Sequence, residues 1–178
     1  MRDRGAPLKS YRTILKQQIV TGLVEHRRPT LALFLSSLSA GLDLGFSLLL
    51  MGVVGSLFTG EPGVWRPILI ANMYALGFIL VILGRSELFT EHTTLAILPV
   101  LDGRSTLGEL ARVWGVVYGG NIIGAASLGA LIGWFAPEFG IATADALAGI
   151  ARKVVEPSWW AIFISGVLAG WLMGSWRG

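Results

Sequence analysis

The chain has 178 residues, of which 53% are hydrophobic and only 14% are charged, a balance typical of an integral membrane protein. It contains no cysteine, which excludes disulfides, thiolate metal sites and cysteine catalysis. Its pI near 9.7 is also found in nucleic-acid-binding proteins, but seven of the fourteen Lys and Arg residues precede Pro29, where the cytoplasmic flank of a membrane domain would carry them. We therefore expect a lipid bilayer, and no nucleic acid, as a partner.

Residues 1–29 are expected to form a cytoplasmic amphipathic helix. Between Pro7 and Arg28, apolar side chains recur on one helical face, and Lys and Arg side chains occupy the other. Ser10 is a suitable N-cap, and the Arg28-Pro29 pair should end the helix. We expect the helix to lie on the inner membrane surface. The alternative is a soluble tail that only supplies positive charge.

Residues 30–178 are expected to form an all-α transmembrane domain. Spanning a bilayer takes about 20 apolar residues, and the sequence predicts four spans, at residues 31–58, 67–101, 107–136 and 158–176. Asp43 is the only charge in the first span, and we interpret it as a structural hydrogen-bonding group rather than a proton carrier. Thr106 and Glu109 fit a capping box at the start of the third span.

Small residues in the last two spans are spaced for close helix packing. Glycines recur four residues apart in the third span, and Gly166, Gly170 and Gly174 do so in the fourth. Such patterns let neighbouring backbones approach closely in a membrane. We interpret Asn121, in the third span, as an interhelical hydrogen-bonding group rather than a ligand contact. A short interfacial helix is expected near residues 142–151.

The second span is interrupted by a polar segment at residues 84–94. Arg85, Glu87 and Glu91 would each cost roughly 2.5–3.5 kcal/mol at the centre of a lipid-facing helix. The neighbouring apolar residues cannot offset this cost, so the segment should face protein or water, as a broken or re-entrant helix does. The alternative is an ordinary short loop outside the membrane.

The distribution of positive charge predicts the orientation. With the N-terminus inside, the inner segments carry ten Lys and Arg residues and the outer segments carry three. Because inner loops are enriched in Lys and Arg, we expect a multi-pass protein of the inner or plasma membrane with a cytoplasmic N-terminus.

Three linked motifs resemble the formate/nitrite transporter family. They are Gly84-Arg-Ser-Glu-Leu-Phe-Thr90, Leu107-Gly-Glu-Leu-Ala-Arg-Val-Trp114 and Tyr118-Gly-Gly-Asn-Ile-Ile-Gly-Ala125, and the resemblance extends from about Pro29 to the C-terminus. It implies an aquaporin-like fold of six helices in two inverted halves, assembled as a homopentamer with one pore per protomer. On this resemblance the present sequence is truncated after the fourth transmembrane helix.

The resemblance also implies a set of pore residues. Leu88 and Phe89 would form the constriction, Thr90 would be the polar contact for a small anion, and Tyr74 and Phe78 would face the pore from the helix before the break. The family's usual Asn in the fourth helix aligns with Gly170, which removes a polar pore group. The family's second broken helix is missing, so we expect these residues to need an opposing half in order to conduct.

The leading hypothesis is a channel or secondary transporter for small monovalent anions such as formate or nitrite, with no enzymatic activity and no cofactor. A second hypothesis is a non-transporting membrane assembly or scaffold subunit, or a non-functional fragment. A third is an intramembrane metalloenzyme that uses Glu87, Glu91 and His92, although one His with two acids is a weak metal signature.

Overall fold

The computed structural model of the chain describes residues 10–58 and 63–175. Within these ranges the regular secondary structure consists of seven helices. They are α1 (Tyr11–Arg27), α2 (Thr30–Leu57), α3 (Trp65–Gly84), α4 (Phe89–Leu101), α5 (Leu107–Glu138), α6 (Ala144–Val155) and α7 (Trp159–Ser175). The predicted start of the first helix at Pro7 lies outside the described residues.

Local sequence signals account for the starts of α1 and α5. The Ser10 side chain caps α1 by accepting a hydrogen bond from the Thr13 N–H. At the start of α5, Thr106 and Glu109 form the reciprocal capping box that the sequence predicts. These caps satisfy N–H groups that have no partner within the helix.

Three of the helices are long and apolar enough to cross a membrane on their own: α2, α3 and α5. A fourth crossing would be the pair formed by α6 and α7, which is bent by 88° between Val155 and Trp159. The break in the second predicted span is shorter than expected. It leaves only residues 85–88 outside a helix, because Phe89 already begins α4.

Helix α2 is the central element and packs closely against both α5 and α3. A Cβ atom added to Gly41 of α2 would collide with the backbone of Asn121, and one added to Gly124 of α5 would collide with the carbonyl oxygen of Leu38. On the other side of α2, a Cβ on Gly77 of α3 would meet Ser47. Glycine therefore lets the helix backbones come into direct contact at these crossings.

Two glycines of α7, Gly166 and Gly170, have no such contacts within the described chain. A Cβ added to Gly166 or Gly170 meets no atom within 4 Å. Close glycine packing occurs between α2, α3 and α5 instead. The prediction that another helix packs against Gly166 and Gly170 therefore concerns a helix outside the described chain.

Helix α1 packs against α4 and α5. Gly22 allows this approach, since a Cβ there would lie 2.9 Å from Pro99. The buried His26 ring contacts Ser105 and the Ala96 carbonyl oxygen, the latter at 2.9 Å. Arg112 of α5 donates hydrogen bonds to the carbonyl oxygens of His26 and Arg28. The end of α1 is thereby held beside the break between α3 and α4.

The glycine contacts predict a difference between two substitutions in the same helix. Gly124→Ala should lower the thermal unfolding midpoint in detergent, because inserting a methyl group into a packed interface costs about 1–3 kcal/mol. Gly115→Ala is the matched control, since a Cβ there meets nothing within 4 Å. Equal unfolding midpoints for the two variants would show that the α2–α5 interface has room for a methyl group at Gly124.

Candidate functional site

The break between α3 and α4, residues 85–88, is the candidate site, and we call it the break loop. Helix α3 ends where Arg85 adopts a left-handed conformation with φ 51°. The next three residues are buried: Ser86 is 6% exposed, Glu87 4% and Leu88 5%. Non-helical backbone with a buried acid thus faces protein, as the sequence predicts.

The backbone of the break loop is held by side chains from α2 and α5. The Asn121 side chain accepts a hydrogen bond from the Phe89 N–H at 2.8 Å and donates one to the Glu87 carbonyl oxygen at 2.9 Å. Ser36 accepts a hydrogen bond from the Glu87 N–H at 3.2 Å. Ser86 donates to the Asp43 carboxylate at 3.1 Å, which agrees with a structural role for Asp43.

The charge of Glu87 is balanced by Arg28, which no sequence pattern links to it, and by the neighbouring His92. The Glu87 carboxylate pairs with Arg28, at the junction of α1 and α2, and with His92 in the first turn of α4. Arg28 also pairs with Glu25 at 3.1 Å. We expected Arg85 to pair with Glu87, with Glu91 or with a neighbouring subunit. The described partners of the Glu87 carboxylate are Arg28 and His92 instead, and the exposed Arg85 terminates α3.

The same cluster contains the groups in the described chain that could hold a metal ion. Ligand atoms of Glu25, Glu87 and His92 lie within 4.8 Å of one another. The metalloenzyme hypothesis named Glu91 rather than Glu25, so the structure brings together a different set. Because Arg28 contacts both glutamates, the cluster is already paired as a network of opposite charges.

Three of the predicted pore residues line one cavity beside the break loop. Tyr74 and Phe78 of α3 and Leu88 contribute to a largely apolar cavity of about 400 Å³, and Glu91 lies at its wall. The rings of Tyr74 and Phe78 are 5.3 Å apart. The structure thus places three residues of the predicted path around a common space.

The other two predicted pore residues lie elsewhere. Phe89 packs edge-on against Tyr118 and Trp114 of α5, with ring centroids 5.3 Å and 6.3 Å away. Thr90 is exposed in the first turn of α4. Neither residue lines the cavity that contains Leu88.

A second cavity has a volume of about 410 Å³, and Tyr74 lines both cavities. The second cavity lies between α2, α3 and α6, and its charged lining residues are Arg66, Asp145 and Lys153. No pattern in the sequence indicates this grouping, since Arg66 lies far along the chain from Asp145 and Lys153. Tyr74 is thus shared by an apolar cavity and a charged one.

The chain is similar in sequence and fold to proteins of one family. A family model described as formate/nitrite transporter matches residues 12–176. The inner membrane protein YfdC of Escherichia coli K12 is 38% identical to this chain over 157 residues, covering 86% of this chain and 49% of YfdC. The formate channel FocA of Haemophilus influenzae is 29% identical, covering 80% of this chain and 50% of FocA.

Two further comparisons agree. The nitrite transporter NirC of Salmonella typhimurium is 27% identical, covering 80% of this chain and 52% of NirC. A solved structure of an FNT family ion channel matches with a TM-score of 0.60 and 24% identity, covering 70% of this chain and 50% of that chain, and supports the same helical fold. The chain spans about half the length of the curated relatives it matches.

The ion-pair cluster predicts that Arg28 stabilises the fold more than its neighbour does. Arg28→Met leaves the buried Glu87 with one partner fewer, and losing a hydrogen bond to a buried charged group costs about 1–3 kcal/mol. The thermal unfolding midpoint in detergent should therefore fall.

Arg27→Met is the control, because it removes the same charge from an exposed position one residue away. The double variant Arg28→Met with Glu87→Gln should recover part of the lost stability, since a neutral amide then replaces the buried Glu87 carboxylate that had lost its arginine. Identical unfolding of the two single variants would contradict a stabilising role for the cluster.

Proposed function

Since the chain belongs to the formate/nitrite transporter family, we propose that it lines a membrane pathway for small monovalent anions such as formate or nitrite. The observation that carries this proposal is the cavity shared by Tyr74, Phe78 and Leu88 at a buried break in a membrane helix. Transporters commonly build substrate sites at such breaks. The named activities of FocA and NirC support the choice of anion.

Leu88 is the residue that we propose as the constriction. Its side chain is 5% exposed and packs in a cluster with Ala40 and Val81. Leu88 is therefore the apolar side chain that the break loop contributes to the cavity wall. An anion crosses a narrow apolar segment only if the segment binds it weakly enough to release it. The alternative is that the anion is protonated and crosses as the neutral acid. Phe78 packs against the same cluster and would complete the narrow segment.

Thr90 and Phe89 have different roles in this proposal. Thr90 remains the proposed polar contact for the anion on the strength of the family motif, and its exposed position in α4 leaves its hydroxyl accessible to a solute. Phe89, which packs against Tyr118 and Trp114, would support the wall of the path rather than narrow it.

The charged cavity would form the entrance to this path. Arg66 and Lys153 together outweigh the single acid Asp145, so the lining carries a net positive charge. A cleft lined by one sign of charge raises the local concentration of the opposite ion. An anion would then pass Tyr74 and reach the apolar cavity.

We further propose the arrangement that the family resemblance implies. The protein would be a non-enzymatic homopentamer with one pore per protomer, and its N-terminus would lie in the cytoplasm. The excess of Lys and Arg in the inner segments supports this orientation.

The alternative, a non-transporting assembly subunit, is favoured by one observation. Large apolar side chains of α7, among them Trp160, Phe163 and Trp171, are more than half exposed. In an assembly subunit this surface would serve only to bind neighbouring helices. Measurement of anion flux separates the two functions.

The proposal predicts that Leu88→Ala raises anion flux several-fold, because the shorter side chain widens the constriction. Formate and nitrite uptake would be measured in membrane vesicles from cells that produce the chain, which retain any partner present in that membrane. Vesicles from cells lacking the chain give the background.

Leu83→Ala is the matched control, since Leu83 is 75% exposed in α3 and does not line the cavity. Its flux should equal that of the parent chain. If Leu88→Ala and Leu83→Ala behave alike, Leu88 does not line the path. If the parent chain gives no flux above background, the assembly function is favoured.

A further inference from the structure

Helix α4 begins at a residue that cannot cap it. Its N-cap is Leu88, in an extended conformation with φ −97° and ψ 126°, and no side-chain hydrogen bond caps the helix at this position. Helix N-caps are normally Ser, Thr, Asp or Asn, whose side-chain oxygen satisfies an N–H of the first turn. Here the capping position holds the apolar side chain that lines the cavity.

Asn121 of α5 binds the start of α4 from another helix. Its Oδ1 accepts a hydrogen bond from the N–H of Phe89, the first residue of α4, at 2.8 Å. Its Nδ2 donates to the Glu87 carbonyl oxygen at 2.9 Å. One amide therefore binds the two peptide groups on either side of Leu88.

The Asn121 side chain is itself fixed in place. Its second N–H donates to the Ser37 carbonyl oxygen of α2 at 2.8 Å, so both of its donors are used. The residue is only 8% exposed. It lies at the closest approach of α2 and α5, where a Cβ on Gly41 would collide with its backbone. An amide held by three bonds at a rigid helix crossing fixes the break loop relative to both helices.

We infer that Asn121 is a positioning residue that sets the width and selectivity of the constriction by binding the peptide groups on either side of Leu88. This inference rests on the proposed function. In this arrangement two residues divide the work at the start of α4. Leu88 gives the path its apolar wall, and Asn121 holds that wall at a fixed distance from α2 and α5. The role differs from simple helix association, which requires no contact with the break loop.

The test uses two variants of Asn121 and a control. Asn121→Leu removes all three hydrogen bonds at similar size. Asn121→Asp keeps an oxygen for the Phe89 N–H but loses donors to the two carbonyl groups. Ser56→Ala is the control, because Ser56 accepts an interhelical hydrogen bond from the Thr143 N–H at 2.7 Å and does not contact the break loop.

The first measurement is the ratio of acetate flux to formate flux in the vesicles described above. Asn121→Leu should raise the ratio, because a loosened loop admits the larger anion, and Asn121→Asp should raise it less. Ser56→Ala should lower thermal stability without changing the ratio. A selectivity ratio that is equal in the parent chain and both Asn121 variants overturns the inference.

The second measurement does not depend on transport. Amide hydrogen exchange of the peptide covering residues 85–92 should accelerate by about tenfold in Asn121→Leu, as expected for the loss of hydrogen bonds, and should be unchanged in Ser56→Ala. If the parent chain conducts no anion, the proposed function fails and exchange alone decides the positioning role. Unchanged exchange in both Asn121 variants refutes it.

Discussion

The structure depends on satisfying one stretch of non-helical backbone that is buried inside a membrane domain. Unpaired peptide groups and an unpaired carboxylate would each cost several kcal/mol there. In this chain, side chains from the neighbouring helices bind these groups and so avoid the cost. Asn121 of α5 and Ser36 of α2 bind the peptide groups of the break loop, and Arg28 and His92 pair with the Glu87 carboxylate.

The remaining architecture brings these partners together. Glycines at the α2–α5 crossing allow the backbones to touch, which carries Asn121 to within hydrogen-bond distance of both α2 and the break loop. Helix α1 packs on α4 through Gly22 and His26, which places Arg28 beside Glu87. With its polar groups held in this way, the break loop can present the apolar Leu88 to the cavity. Packing, charge pairing and the proposed path are thus parts of one arrangement.

Much of the fold could be predicted because its signals are local. Apolar length identifies the membrane helices, and side-chain caps mark the starts of α1 and α5. The site was harder, because its decisive partners are distant in sequence: Arg28 and Glu87 are 59 positions apart, and no periodicity links them. Arg85 was expected as one candidate partner of Glu87 because the two residues are close in the chain, whereas the described partner is the distant Arg28. Asn121 was recognised as a hydrogen-bonding residue, but its partners depend on how α5 crosses α2.

The most direct test of the central claim is the chemical accessibility of position 88 during transport. The chain has no cysteine, so a single Leu88→Cys substitution gives a thiol without background. We expect a small anionic, membrane-impermeant thiol reagent to modify this position and to block formate uptake, and we expect excess formate to slow the modification. A Leu83→Cys chain, with its thiol on the exposed surface of α3, should keep its uptake after the same treatment. Uptake that is equally insensitive in both chains would show that the break loop does not line the anion path.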